Sequence, residues 1–254
     1  MPRFIKDHIG TPSKLYIGAQ ERYLNSVELV GIDACPQGWM VVRGVFAPQE
    51  GKFLREKAFV FERLRNVFLL PAFLFAIDLP LGLLQKHAPG GRECDRLARC
   101  ILGPRRGSVF TPPPLEALPF NSYQALRARG IKISRQSFNL LPRLKEVHEN
   151  LDLLLEKYVF ETHPELVFRS LSGEILPSKH SPEGFQRRLQ ILKESCLFQN
   201  LLDNLHSLAR KFKKDLLDAY ACLLAAQKIF LGKAQLIPEK PPKDPRGLLL
   251  AIWF

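Results

Sequence analysis

Three carboxylates end apolar runs. Asp33 closes "VELVGID", Asp78 closes "PAFLFAID" and Glu161 closes "KYVFE". In open α/β sheets, sites form outside the carboxyl ends of the strands, so acids at strand ends are candidates for one shared place. If the first two strands are parallel neighbours, Asp33 and Asp78 lie one strand spacing apart, about 5 Å. Two carboxylates that close repel, and one keeps its proton unless a cation sits between them. Hard, oxygen-rich sites of this kind suit Mg²⁺ or Mn²⁺.

A further acid comes from "DLLDAYACLLAAQKIF". Asp218, Ala221, Cys222, Ala225 and Ile229 fall on one helical stripe whose small residues allow close approach to a sheet. Asp218 would then point at Asp33 and Asp78, with Asp215 one turn earlier and off that line. Local explanations exist for each acid alone. Asp33 and Asp78 are acceptable turn residues, Asp215 an N-cap, and Asp218 a first-turn acid favoured by the helix dipole. His163, just before Pro164, reads as a capping or packing residue rather than a ligand. A shared cation accounts for the whole acid set at once.

Basic side chains offer the complement. Arg92, Arg96 and Arg99 are spaced i, i+4 and i+7, and Arg105, Arg106 and Ser108 follow in a Gly-bounded loop. Guanidinium forks match phosphate oxygens, although Glu93 and Asp95 could instead pair with this face. "SRQSFNLLPRLKEV" gathers Gln136, Asn139 and Lys145, the first two also able to cap a helix. Lys179, Arg188 and the Lys211, Lys213, Lys214 run add cationic charge ahead of Asp215. The expected catalytic set is Asp33, Asp78, Asp218 and Glu161, with Asp215 as an extra metal ligand.

The elements that must position these groups read as follows. Residues 27–32 and 39–46 form a hairpin across the Asp33–Gly38 turn, and 52–62 a third strand. A short helix covers 62–69. The continuous apolar run 71–78 reads as a strand buried on both faces, stopped by Pro80. Helical patterns follow at 91–102, 122–130, 138–156, 163–171, 183–195, 197–212 and 215–231. "KYVFE" is a strand among them, 103–114 is loop, and the chain ends on a strand-like "GLLLAIWF". The sum is an α/β mixed sheet, antiparallel hairpin strands plus parallel strands, flanked by helices with a helical and loop insertion. Residues 1–26 read as a basic extension and 27–254 as one domain.

Composition narrows the partner class. The 254 residues carry a formal charge of +12, which favours polyanions, nucleic acid first among them. No apolar stretch reaches the roughly 20 residues of a membrane helix, and the first 26 residues lack a secretory pattern. Five cysteines without a C-x-x-C pair point to reduced thiols and a cytoplasmic setting, not to zinc or a disulfide frame.

"DLLDAYACLLAA" looks like the Asp-x-x-Asp-Ala helix of RuvC-type resolvases. More closely, "GIDACPQGW", "AIDLPLGL", "GRECDRLARCILGPRRGSVFTPPP", "SRQSFNLLPRLKEV", "ETHPELVFRSL", "SKHSPEGFQRRLQIL", "KKDLLDAYACLLAA" and "RGLLLAIWF" appear in an order that resembles the domain of unknown function 429 family, described as predicted RNase-H-like nucleases. The chain departs from that pattern at Pro36, Gln37 and Lys240 and in its final "AIWF". The resemblance implies an RNase-H-like domain with Asp33, Asp78 and Asp218 as its acidic core. The expected function is metal-dependent phosphodiester hydrolysis of DNA or RNA, with a dimer required if the action is resolvase-like. A non-catalytic binder of structured nucleic acid and an actin-like nucleotide-binding protein are the alternatives.

Overall fold

The computed structural model describes residues 25–150, 152–153 and 158–254. All but the last two positions of the expected N-terminal extension fall outside that range. Strands β1 (Val27–Cys35), β2 (Gly38–Ala47) and β3 (Lys52–Phe61) form an antiparallel meander. Helix α1 (Leu64–Phe68) leads to β4 (Leu74–Ile77), which lies parallel to β1. Helices α2 (Glu93–Leu102), α3 (Tyr123–Ala128) and α4 (Arg135–Glu149) are inserted before β5 (Tyr158–Glu161), parallel to β4. Then come α5 (Pro164–Ser172), α6 (Pro182–Glu194), α7 (Leu201–Ser207), α8 (Lys213–Phe230) and a small ribbon of β6 (Leu236–Ile237) with β7 (Ile252–Trp253). The sheet order β3-β2-β1-β4-β5 is the mixed, RNase-H-like arrangement expected from the sequence.

Strand alternation divides the sheet between two cores. Leu29, Met40, Val42, Leu74 and Ala76 face α2, α5, α6, α7 and α8. Val30, Ile32, Trp39, Val41, Phe75 and Ile77 face α1, α3 and α4. The first face sets the site, because α8 lies directly on β1. A Cβ at Gly31 would sit 2.2 Å from the Ala219 carbonyl oxygen and 2.3 Å from the Leu223 nitrogen. Only glycine permits backbone contact that close, and Ala219, Ala221, Cys222, Ala225 and Ala226, all buried, keep the helix side equally thin.

Two helix boundaries differ from the periodicity. Helix α4 starts at Arg135, not 138, since the Ser134 hydroxyl caps it by accepting from the Ser137 N–H at 3.0 Å. The expected 197–212 helix is split. Its start is held by Glu56 of β3, which accepts from the Gln199 and Asn200 amides, and the chain turns extended at Leu208 before a 3₁₀ turn, Arg210–Phe212.

Candidate active site

Parity decides which acids meet. Asp33 continues the Leu29 and Gly31 row of β1, and Asp78 follows the Leu74 and Ala76 row of β4. Both therefore face α8. The parallel register pairs Ile32 with Ile77, and the Asp78 amide donates to the Ile32 carbonyl at 2.9 Å, so Asp33 and Asp78 stand on adjacent strands. Asp218 comes down from α8, 2% exposed, and Asp33 is 5% exposed. Asp215, one turn earlier, completes the group.

The electrostatics show that these groups act on one another. Burial first, then Asp218 and Asp78, push the Asp33 carboxyl well above its usual range, with Lys179 pulling the other way. Asp78 is raised by burial, while His163 and Lys179 draw it back and Asp218 and Glu165 oppose them. Burial lifts Asp215 to about 6, against the pull of Lys179. Both charge neighbours and desolvation are at work, as expected where carboxylates crowd under a helix. The Cys222 thiol beneath them is likewise pushed up by burial and by Asp78 and Asp33, which makes it an inert packing group.

One cation answers this set directly. Lys179 forms an ion pair with Asp218, and although burial opposes its charge, Asp218 and Asp33 hold the ammonium above its ordinary range. It sits in the loop between α5 and α6. Arg188, 1% exposed, anchors that loop by donating from Nη1 to the Pro177 and Gly184 carbonyls at 2.8 Å. Its Nη2 grips both Glu165 oxygens at 2.7 Å. Gly184 is needed because a Cβ there would lie 2.1 Å from the Ser178 carbonyl oxygen.

Glu165 is the residue that sequence reasoning missed. Glu165 is buried, bridges Arg188 and Arg105 (3.8 Å), and contributes to the field at Asp78. His163 starts α5 but makes no side-chain cap bond. Its Nε2 donates to the Ser108 carbonyl at 3.3 Å instead. The signal was "THPE", two polar side chains straddling a helix-starting proline.

Glu161 does not join the cluster. It registers with Ile77, one residue short of Asp78, and so faces the opposite side of the sheet. Arg92, the N-cap of α2, holds it, Nη1 to Oε2 at 2.8 Å and Nη2 to Oε1 at 2.5 Å, and the Leu81 amide adds 2.8 Å. This removes Arg92 from substrate contact as well, since its remaining bonds go to Asp95 and the Gly82 carbonyl. The alternative pairing of Arg92 with Asp95 is the one adopted.

The other expected substrate residues separate in the same way. Arg188 is buried scaffolding. Lys145 donates to the Phe120 carbonyl at 3.0 Å and to Asn121. Gln136 and Asn139 are exposed on α4 and do not cap it. Ser108 bonds the Arg105 carbonyl within its own turn. Arg96, Arg99 and Arg106, by contrast, line one cleft of about 390 Å³ with Cys100 and Gly103. Arg99 is locked there by Val109 O, Gly90 O and Thr111 Oγ1.

Whether the carboxylates suit a metal ion can be judged from their surroundings. Among the described residues, the buried side-chain polar atoms lacking a partner are Asp215 Oδ2, His163 Nδ1, Arg105 Nε and Arg188 Nε. The two Arg Nε atoms are cationic N–H donors and offer nothing to a metal; Asp215 Oδ2 and His163 Nδ1 are left as unpaired groups that call for a partner the protein does not itself supply. The donor set is carboxylate oxygen, right for Mg²⁺ or Mn²⁺. No three His, Cys, Asp or Glu side chains among the described residues are already drawn together as ligands, and Lys179 lies where positive charge is needed.

No helix among the described residues is long and apolar enough to cross a membrane. Neither a curated protein nor a solved structure matches the chain. A family model described as protein of unknown function (DUF429) matches residues 31–243, and the chain belongs to that family.

Proposed function

We propose that the chain is a divalent-metal-dependent phosphodiesterase acting on nucleic acid, with Asp33, Asp78 and Asp218 as metal-holding carboxylates and Asp215 in support. The observation that carries this reading is that Asp33 and Asp78 stand at the ends of adjacent parallel strands beneath α8, each within the field of Asp218. Bound Mg²⁺ or Mn²⁺ would supply an activated water and stabilise charge on the departing 3′-oxygen. The chain's own residues bind and position. The Arg96, Arg99 and Arg106 cleft offers guanidiniums with no carboxylate partner among the described residues, a fit for phosphate oxygens. The formal charge of +12 draws a polyanion to it. Cysteines without disulfides support a reducing, cytoplasmic setting.

The test is cleavage of end-labelled single-stranded, duplex and branched DNA and RNA in Mg²⁺ or Mn²⁺. Cleavage by the wild type that disappears with chelator and in Asp33→Asn is expected. No cleavage of any of them by wild type overturns the reading. A second reading, binding without hydrolysis, draws support from the Lys179–Asp218 ion pair, which already occupies one acid. Retained binding with no cleavage identifies it. The actin-like alternative needs two copies of the sheet, and the described residues contain one five-stranded sheet.

A further inference from the structure

We infer that Lys179 is the built-in counter-cation of the carboxylate cluster, an ammonium held by the fold in the place a divalent ion would share or take over. The inference starts from the same carboxylate geometry as the nuclease reading. Its metal arm rests on that reading, and its stability arm does not.

Two features show that the lysine is placed. The first is its target: of the acids in the cluster, Asp218 receives the ammonium directly, and Asp33, Asp78 and Asp215 all lie within its field. The second is its mounting. The loop that carries it is tied to α6 by Arg188, which donates to the Pro177 carbonyl at 2.8 Å, and by the Ser181 hydroxyl, which donates to the Ser178 carbonyl at 2.8 Å. Gly184 admits the Ser178 carbonyl against α6. Arg188 in turn is fixed by Glu165, which also faces Arg105. A buried guanidinium, a buried carboxylate and an obligatory glycine thus serve to hold one lysine over the acids. A solvated surface lysine needs none of this.

The consequence is a division of labour. Without metal, the ammonium pairs with Asp218 and offsets repulsion among the carboxylates. With metal, it adds repulsion, so it weakens cation binding and restricts it to conditions where the incoming charge outcompetes an ammonium already in place. The loop between α5 and α6 is then the element that must yield or shift its lysine when a cation enters.

The experiment compares wild type, Lys179→Met, Lys179→Arg and Lys179→Met/Asp218→Asn by thermal unfolding in chelator, then in a Mn²⁺ titration. Lys179→Met should melt a few degrees below wild type in chelator. Lys179→Arg should stay near wild type, and removing the charge of Asp218 in the Lys179→Met background should recover stability. In Mn²⁺, Lys179→Met should bind at least about tenfold more tightly than wild type. If Lys179→Met melts like wild type, or the double variant is no more stable than Lys179→Met, the lysine's charge is not the counter-ion and the inference fails. If the stability pattern holds but neither protein responds to Mn²⁺, the counter-ion stands and the metal-dependent reading of the site falls.

Discussion

The molecule contains two separate buried charge clusters beyond the ends of the parallel strands. In one, at the start of α2, Arg92 meets Asp95 and Glu161, and its guanidinium donates to both carboxylates and to the Gly82 carbonyl. On the face toward α8, four aspartates meet one ammonium, and an Asp215 oxygen is left without a partner. The first cluster is closed in its hydrogen bonds: every Asp95 and Glu161 oxygen meets the Arg92 guanidinium or a backbone amide, although burial still raises Glu161 to about 7. The second is open, with more negative charge than its own cation can offset. A closed buried network holds the fold in one arrangement, whereas an open one stores electrostatic strain that an outside charge can relieve.

The contrast breaks most plainly at Arg92. Arg92→Ala strands two buried carboxylates, which should cost about 3–5 kcal/mol of stability, read by denaturant unfolding. A loss below about 1 kcal/mol would show that the closed network is not closed. Asp33→Asn should do the reverse. It removes one of several like charges, so stability stays level or rises, while metal-dependent cleavage falls by about 10²–10³-fold. An Asp33→Asn protein that unfolds as readily as the Arg92→Ala protein would erase the distinction between the clusters.

Much of this was legible in the chain, and the reason is period. Runs ending in Asp33 and Asp78 alternate or stay apolar as strands do, and the small-residue stripe of α8 declared its packing face. The hairpin, the parallel strand and the late helix therefore came from local pattern, as did the association of Asp33, Asp78 and Asp218. Glu161 failed for a reason the sequence does not carry. It also ends a strand, but pairing Ile77 with Glu161 rather than Asp78 with Glu161 turns its side chain to the other face. Register between distant strands is set by tertiary packing. The arginines divided on the same ground: Arg92, Arg96 and Arg99 share a helix spacing, yet Asp95 together with a partner acid 69 residues away makes Arg92 structural. Of the two roles read for His163, capping and packing, the first is not taken up: it makes no side-chain cap bond, and its Nε2 donates to the Ser108 carbonyl.

A smaller effect sharpens the open side. Arg106→Glu should weaken binding of a labelled oligonucleotide about tenfold and lower the salt dependence of log K by roughly one or more, because phosphate contacts release counterions. Unfolding should not change, since Arg106 makes no ion pair among the described residues. An unchanged salt slope would move the nucleic-acid path away from this cleft.

The smallest effect is a slope in pH. Burial raises Asp215 from the ordinary 3.8 to about 6, with Lys179 and Lys214 pulling down and Asp218 pushing up. Between those values the folded chain keeps a proton that the unfolded chain has released. Stability contributed by this group is therefore full below about pH 3.8 and lost as the pH rises through about 6. Asp33 and Asp78, raised by the same burial, act in the same direction. Asp215→Asn should make metal-free stability fall less between about pH 4 and about pH 6.5 than it does in wild type, read as the difference in unfolding midpoint at the two ends. The closed cluster provides the control: its carboxylates are held by Arg92 and do not act on Asp215, so the Asp215→Asn substitution leaves their contribution untouched. A wild type and an Asp215→Asn variant with the same pH slope would mean that Asp215 titrates as an exposed acid does, and the open cluster would shrink to Asp33, Asp78 and Asp218.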